Sequence, residues 1–316
     1  MAGGFLLMQV RHTYFHGTKA VCSFFEGWYF KHQTDAHTLI LIPAFHCDQR
    51  GRTSGSMQVI LDDASHYVTF SPQDFEAETG RLHIRLGQSI FSEKGCRIHL
   101  DAPGLKLRGH LYYGSFQKPF RSFMGPFARL PLPCYHEVLS LFHNLRGRIL
   151  VNGEIWDFSG GFGYLEKDWG HSFPDSYLWL QCSQKEQSRA DSFLLTIAGL
   201  GDSAHPLKAC SSLILHKGKQ YRLSTWQGAR LLRYNGRRIA LRQGRYLLQV
   251  ILPPGSGRSL SAEESTDSSV PLKAPLAGKL ERTIQEKARC PMRCQLYRGG
   301  HKILDMQKEW GSLERV

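Results

Sequence analysis

Short segments in which apolar and polar residues alternate, or in which apolar residues run together, recur along most of the chain and are bounded by turn residues. That spacing predicts β-strands rather than helices. Strands are predicted at Thr38–Phe45, Ser56–Leu61, Tyr67–Ser71, Arg81–Leu86, Lys106–Tyr113, Gly147–Val151 and Ile155–Phe158. Further ones are Tyr177–Cys182, Phe193–Ala198, Ser212–His216, Gln220–Thr225, Arg237–Leu241 and Tyr246–Leu252. Asn152-Gly153 between two apolar runs is hairpin chemistry, since both residues tolerate positive φ. Lys217-Gly218-Lys219 and Gln243-Gly244 are similar turns. The best helical spacing is short: Val138, Leu141, Phe142 and Leu145 would share one face of a helix over Glu137–Asn144.

Two segments interrupt the pattern. Phe116–Pro133 carries four prolines among phenylalanines and predicts an ordered crossover over apolar surface, a candidate cavity lid. Pro253–Pro275 is rich in Pro, Gly, Ser and Glu and predicts a flexible insertion. The strands exceed one small barrel. An all-β fold of two tandem lipocalin-like antiparallel barrels or sandwiches is expected, with residues 1–158 and 159–316 as its halves and the joint near 150–165.

At 316 residues, 41% hydrophobic and 21% charged, the chain has the composition of an ordinary globular protein. Its net charge of +13 admits nucleic acid, an anionic membrane surface or an acidic ligand as partner. The charge is dispersed, however, and no nucleic-acid motif accompanies it. The densest cluster, Arg230, Arg233, Arg237, Arg238, Arg242 and Arg245, has the spacing of solvated strand faces. The eight cysteines are scattered through a large chain, which argues for reduced thiols and a cytoplasmic location, with peripheral membrane contact as an option. Cys290 and Cys294 lack a second ligand pair, and no histidine pair has metal spacing, so no metal is expected. Gly4–Met8 is too short for a signal core, and no stretch is long enough for a membrane span.

Three constellations could carry chemistry. In Phe24-Phe25-Glu26-Gly27-Trp28-Tyr29-Phe30-Lys31, an extended backbone puts Glu26 on one face with Trp28 and Phe30, and Tyr29 and Lys31 on the other. A carboxyl beside tryptophan in an apolar site stays protonated more readily, as a general acid must. The bland alternative is a rim carboxylate paired with a cation. In Gly163-Tyr164-Leu165-Glu166-Lys167-Asp168-Trp169-Gly170, Glu166 and Asp168 share a face opposite Lys167. Like charges held close raise one pKa of the pair; a solvated turn is the alternative. In Cys134-Tyr135-His136-Glu137, His136 is a candidate base, acid or structural histidine. Nucleophile-elbow, Walker and Rossmann fingerprints are absent.

Tyr14-Phe15-His16-Gly17 with Phe25–Lys31, Met124-Gly125-Pro126-Phe127, Cys134-Tyr135-His136, and the block Tyr164–Gly170 with Phe173-Pro174 and Trp179-Leu180-Gln181-Cys182 together resemble the tocopherol cyclase-like family, its bacterial branch in particular. Glu137 and Ser183 depart from that pattern, where glycine and asparagine are expected. The resemblance implies a pair of lipocalin-like barrels and cyclisation of a prenylated hydroquinone to a chromanol, without metal or redox cofactor. It implies Glu26 or Asp168 as the acid, with Glu166 as alternative and His136 orienting or deprotonating the phenol. Trp28, Tyr29 and Trp169 would line a cation site, and Tyr164, Trp179 and Gln181 would contact substrate. The competing readings are a carrier of an apolar quinone, lipid or carotenoid, and a hydratase on a prenyl or polyene substrate. The carrier needs the barrels and aromatics but no acid, whereas catalysis by Glu26 and Asp168 requires the two to converge on one apolar cavity.

Overall fold

The computed structural model describes residues 13–186, 189–200, 207–252 and 269–316. Gly4–Met8 and residues 253–268 of the expected insertion lie outside the described residues. The first twelve strands are β1 (Phe24–Gln33), β2 (Thr38–Cys47), β3 (Thr53–Leu61), β4 (Ala64–Phe70), β5 (Phe75–Ala77), β6 (His83–Leu86), β7 (Ser89–Ser92), β8 (Gly95–Ala102), β9 (Leu105–Tyr113), β10 (Cys134–Val151), β11 (Glu154–Asp157) and β12 (Phe162–Gly170). They form one antiparallel sheet in the order β4-β3-β2-β1-β12-β10-β9-β8-β7-β6-β5, with β11 on β10. The sheet coils until β3 touches β6, nearly closing a barrel.

The remaining strands are β13 (Tyr177–Glu186), β14 (Arg189–Leu200), β15 (Leu207–His216), β16 (Lys219–Ser224), β17 (Arg230–Tyr234), β18 (Arg238–Gln243), β19 (Tyr246–Ile251), β20 (Val270–Leu276), β21 (Lys279–Arg298) and β22 (His301–Arg315). They form a second sheet in the order β16-β15-β14-β13-β22-β21-β19-β18-β17, with β20 on β21. The fold is therefore all-β, as two lipocalin-like sheets in tandem. Among the described residues no helix is long and apolar enough to cross a membrane.

Strand alternation explains three cores. Trp28, Phe30 and Leu165 point into the first barrel, and Leu180, Phe193 and Leu248 into the second. Tyr29, Tyr164, Trp179 and Ile284 fill a third core between the sheets. Strands β1 and β12 are thus buried on both faces, which accounts for their near-continuous apolar character.

Several expectations change. The helix predicted over Glu137–Asn144 is part of β10. Leu139 and Leu145 face the barrel while Val138, Leu141 and Phe142 face the seam. Register shifts after Val138 and Ser140 add residues to the alternation, so a bulged strand mimics helical spacing. The joint lies later than 150–165, because β12 pairs with both β1 and β10 and the second sheet begins at Tyr177. The end of the expected insertion is ordered as β20, whose Pro275 sits at a register shift where its missing donor is tolerated. The Asn152-Gly153 hairpin forms as read, with φ of 49° and 95°. The six clustered arginines are all exposed on or beside β17–β19.

Residues 114–133 cross from β9 to β10 over the second sheet, with one short 3-10 turn at Gly125–Arg129. Arg222 donates to the carbonyls of Arg121 at 2.7 Å and Phe123 at 3.2 Å, and the Ser211 hydroxyl donates to Phe123 O at 3.3 Å. Gly125 has φ +57°, and a Cβ there would lie 2.4 Å from the Trp226 ring. This close fit needs glycine.

Candidate active site

The seam between the sheets holds a cavity of about 220 Å³, partly open to solvent. The outer faces of β1, β2, β10 and β12 form one wall and β13–β15 with β20–β22 the other, while Phe123, Met124, Phe127 and Leu132 of the crossover cover it. Most of the lining is apolar. Its polar groups include Tyr29, His136, Glu166, Asp168, Trp179 and Glu314.

Register places these groups in rows. Gly27, Asp168 and His136 are neighbours across β1, β12 and β10. Tyr29, Glu166 and Val138 form the next row. Gly27 has no side chain, which leaves room in front of Asp168. From the second sheet, Trp179 on β13 is opposite Glu314 on β22, which is opposite Glu286 on β21.

The contacts are dense. His136 Nδ1 lies 2.8 Å from Asp168 Oδ1, and its Nε2 lies 3.3 Å from Glu166 Oε2, an ion-pair distance without hydrogen-bond geometry. Glu166 Oε2 also accepts from Trp179 Nε1 at 3.1 Å and from the Tyr164 hydroxyl. Phe123 packs edge-on to the His136 ring with centroids 5.0 Å apart, and Tyr29 is edge-on to Trp179 at 5.3 Å. The buried carboxyl of Glu286 accepts from Tyr29 OH through Oε1, and its Oε2 has no partner. Glu314 Oε1 likewise has none. Lys31 Nζ donates to Ser312 Oγ at 2.8 Å and Trp310 O at 3.0 Å, and lies 3.3 Å from Gln181 Oε1.

Electrostatics follow from burial and crowding. Burial pushes Glu166 up to about 7, against the opposing His136 charge and the Tyr164 and Trp179 hydrogen bonds. Burial, then the charges of Asp168 and Glu166, lift Glu314 well above the usual carboxylate range. Glu286 rises to about 7, again by burial, despite Tyr29 and Lys31. For His136, burial disfavours the charged form, but Glu166 and Asp168 outweigh it and hold the imidazolium to about 9. Burial keeps the Tyr29 and Tyr164 phenols protonated. The site therefore sets His136 between two carboxyl groups, with a third carboxyl, whose proton burial holds more tightly than usual, on the opposite wall.

Among the described residues, His136, Glu166 and Asp168 are also the one trio whose donor atoms, all within 4.8 Å of one another, could hold a metal ion. They are brought together by register rather than by sequence spacing. Their donor atoms already face one another as ion pairs.

The remaining sequence candidates fall elsewhere. Glu26 points into the first barrel, fully buried, where His16 N donates at 2.7 Å and Lys167 Nζ lies 3.3 Å away. The meeting of Glu26 with Asp168 does not occur, because adjacent register rows put them on opposite faces of the sheet. Trp28 is in the barrel core, and Trp169 stacks on His16 with centroids 4.5 Å apart and carries Lys167 Nζ 4.7 Å above its ring. Tyr164 stands behind Glu166 rather than on the cavity. Gln181 and Ser183 bond each other at 2.8 Å outside the cavity lining, and Glu137 faces Lys167 at 3.8 Å, so neither family departure touches the cavity. Of the expected residues, Asp168, Glu166, His136, Tyr29 and Trp179 converge. Glu314 and Glu286 were missed. A carboxyl inside the alternating run Ile284, Glu286, Ala288, Cys290 was the available signal for the second.

Fold and site together define a tandem lipocalin-like β-protein with a carboxyl-bearing apolar cavity at its seam. The profile of the tocopherol cyclase-like family matches residues 105–232, which include the block Tyr164–Gly170, so the resemblance read from the motifs is shown over that segment. CghA, solved with Sch210972, superposes with a TM-score of 0.55 at 12% identity, covering 93% of this chain and 88% of that one. Kievitone hydratase from Nectria haematococca gives 0.52 at 10% identity, with the same coverage. At these identities the likeness is one of fold. No curated protein matches the chain by sequence at a significant level.

Proposed function

We propose that the protein is an acid-catalysed cyclase that closes a prenylated hydroquinone to a chromanol in the seam cavity. The observation carrying this reading is Glu314: a carboxyl whose proton is held well above the usual carboxylate range by burial, with an unpartnered oxygen, on a mostly apolar wall. Glu314 gives its proton to the less substituted carbon of the prenyl double bond nearest the ring. The tertiary cation forms beside the faces of Tyr29 and Trp179. The neighbouring phenol oxygen attacks it, and the phenol proton passes to Asp168, whose side chain is one-fifth exposed. One C–H and one C–O bond form, while one O–H and one π bond break. Return of the proton from Asp168 to Glu314 restores the site, so the reaction is an isomerisation. His136, already an imidazolium, steadies Asp168 and Glu166 rather than acting as the base.

The test is turnover of a panel of prenylated hydroquinones by wild type, Glu314→Gln and Asp168→Asn. Each substitution is expected to cut turnover by about 10²–10⁴-fold. Wild-type rates in Glu314→Gln would end this assignment, and loss of activity on chelation would move the chemistry to a metal held by His136, Glu166 and Asp168. A ligand retained unchanged through long incubation would instead favour a carrier.

A further inference from the structure

Strand β2 contributes a further polar group to the cavity, apart from the carboxyl cluster. His46 is 6% exposed and lines the same cavity. Its Nε2 lies 2.8 Å from Ser56 Oγ. In the tautomer that donates Nε2–H to Ser56, Nδ1 is left as a bare acceptor. Nδ1 is buried and has no partner. Leaving such an atom unpaired is costly, so a ligand donor there is well rewarded.

The position relative to the reaction centre is set by the sheet. Ala44 pairs with Gly27, which pairs with Asp168, and His46 lies two residues along β2 from Ala44 on the same face. Two strand spacings and two residues of rise put the two positions roughly 12 Å apart at the backbone. A ring with oxygens at opposite ends, hydrogen-bonded at each, spans about this distance. Burial holds His46 neutral, its pKa lowered to about 4, so it offers a lone pair rather than a charge.

We propose that His46 Nδ1 is a ligand-binding subsite that accepts a hydrogen bond from a second hydroxyl of the substrate, so that the cavity selects a free phenol over its ether and a quinol over the corresponding quinone. The identity of that hydroxyl as the far end of a hydroquinone rests on the reading above; the acceptor subsite itself does not.

Binding of 4-octylphenol and its methyl ether, followed by calorimetry with wild type, His46→Phe and His46→Gln, tests it. Wild type is expected to prefer the phenol by about tenfold, the value of one hydrogen bond. His46→Phe should lose the preference while still binding the ether, which also shows that it is folded. His46→Gln, whose amide oxygen restores an acceptor, should recover part of it. A preference that survives in His46→Phe, equal binding of both compounds to wild type, or no binding of either would overturn the proposal. Absence of hydroquinone turnover with the phenol preference intact would refute the cyclase reading and leave the subsite standing.

Discussion

Replacing Glu286 with glutamine should alter stability in a way that depends steeply on pH. The carboxyl is fully buried, one oxygen accepts from Tyr29 OH, and the other has no partner. Below pH 4.5 it is protonated in both folded and unfolded chains and contributes no pH-dependent cost. As pH rises, the unfolded chain ionises first and the folded chain keeps its proton until about 7. Stability is therefore lost between pH 4.5 and 7 and then stays level. At about 1.4 kcal/mol per pH unit the loss is about 3 kcal/mol. Glutamine keeps an oxygen for Tyr29 and removes the ionisation, while its unpartnered N–H costs about 1 kcal/mol at every pH. The variant should be slightly less stable than wild type near pH 4.5 and about 2 kcal/mol more stable at pH 7.5. Urea unfolding followed by tryptophan fluorescence at several pH values measures this. A difference between the two proteins that stays flat over that range would show that Glu286 ionises as an ordinary surface carboxyl, and the burial argument for the seam would be wrong.

Glu26→Gln leaves Lys167 buried without its nearest anion and should cost about 3–5 kcal/mol, measured by denaturation at pH 7, with no change in the pH profile of turnover. Phe123 lines both the seam cavity and a neighbouring, more polar one bordered by Lys118, Arg121 and Glu137. Phe123→Ala should join them, admit water to the cation and raise the ratio of ¹⁸O-labelled alcohol to chromanol about tenfold or more in labelled water. Gly125→Ala should drive a methyl group into Trp226, unseat the crossover and weaken binding of an apolar fluorescent probe several-fold, as titration would show.

The fold was largely readable because alternation and turn chemistry are local. Asn152-Gly153 dictated its hairpin, and the parity of Glu166, Lys167 and Asp168 correctly separated the lysine from the two carboxyls. The same parity placed Glu26 apart from Tyr29, but sequence could not say which face of β1 meets the cavity. That depends on pairing with β12, which is remote in sequence, and on which sheet lies across the seam. His136 looked like the start of a helix because a bulged strand imitates helical spacing. Glu314 was invisible, and Glu286 showed only as a carboxyl within an alternating apolar run, for a related reason. Their relation to Trp179 is set by the register of β13, β22 and β21, and no local motif encodes that alignment. His46, one residue beyond the predicted strand Thr38–Phe45, stood out only once its neighbours were known.

The acid proposed for the reaction is carried by β22, the last strand of the second sheet, while its counterparts Asp168 and His136 belong to the first. During synthesis the strands through β12 emerge long before β22, and N-terminal units generally fold first. The growing chain can thus bury Lys167 against Glu26 and close its first barrel while the future cavity wall still faces solvent. Reactive prenyl substrates meeting that intermediate would find an imidazolium and two hydrated carboxylates, with no dry proton donor. Translation of β22 both supplies that donor and completes the second wall of the seam, so the proposed chemistry must wait until β22 has been made and docked.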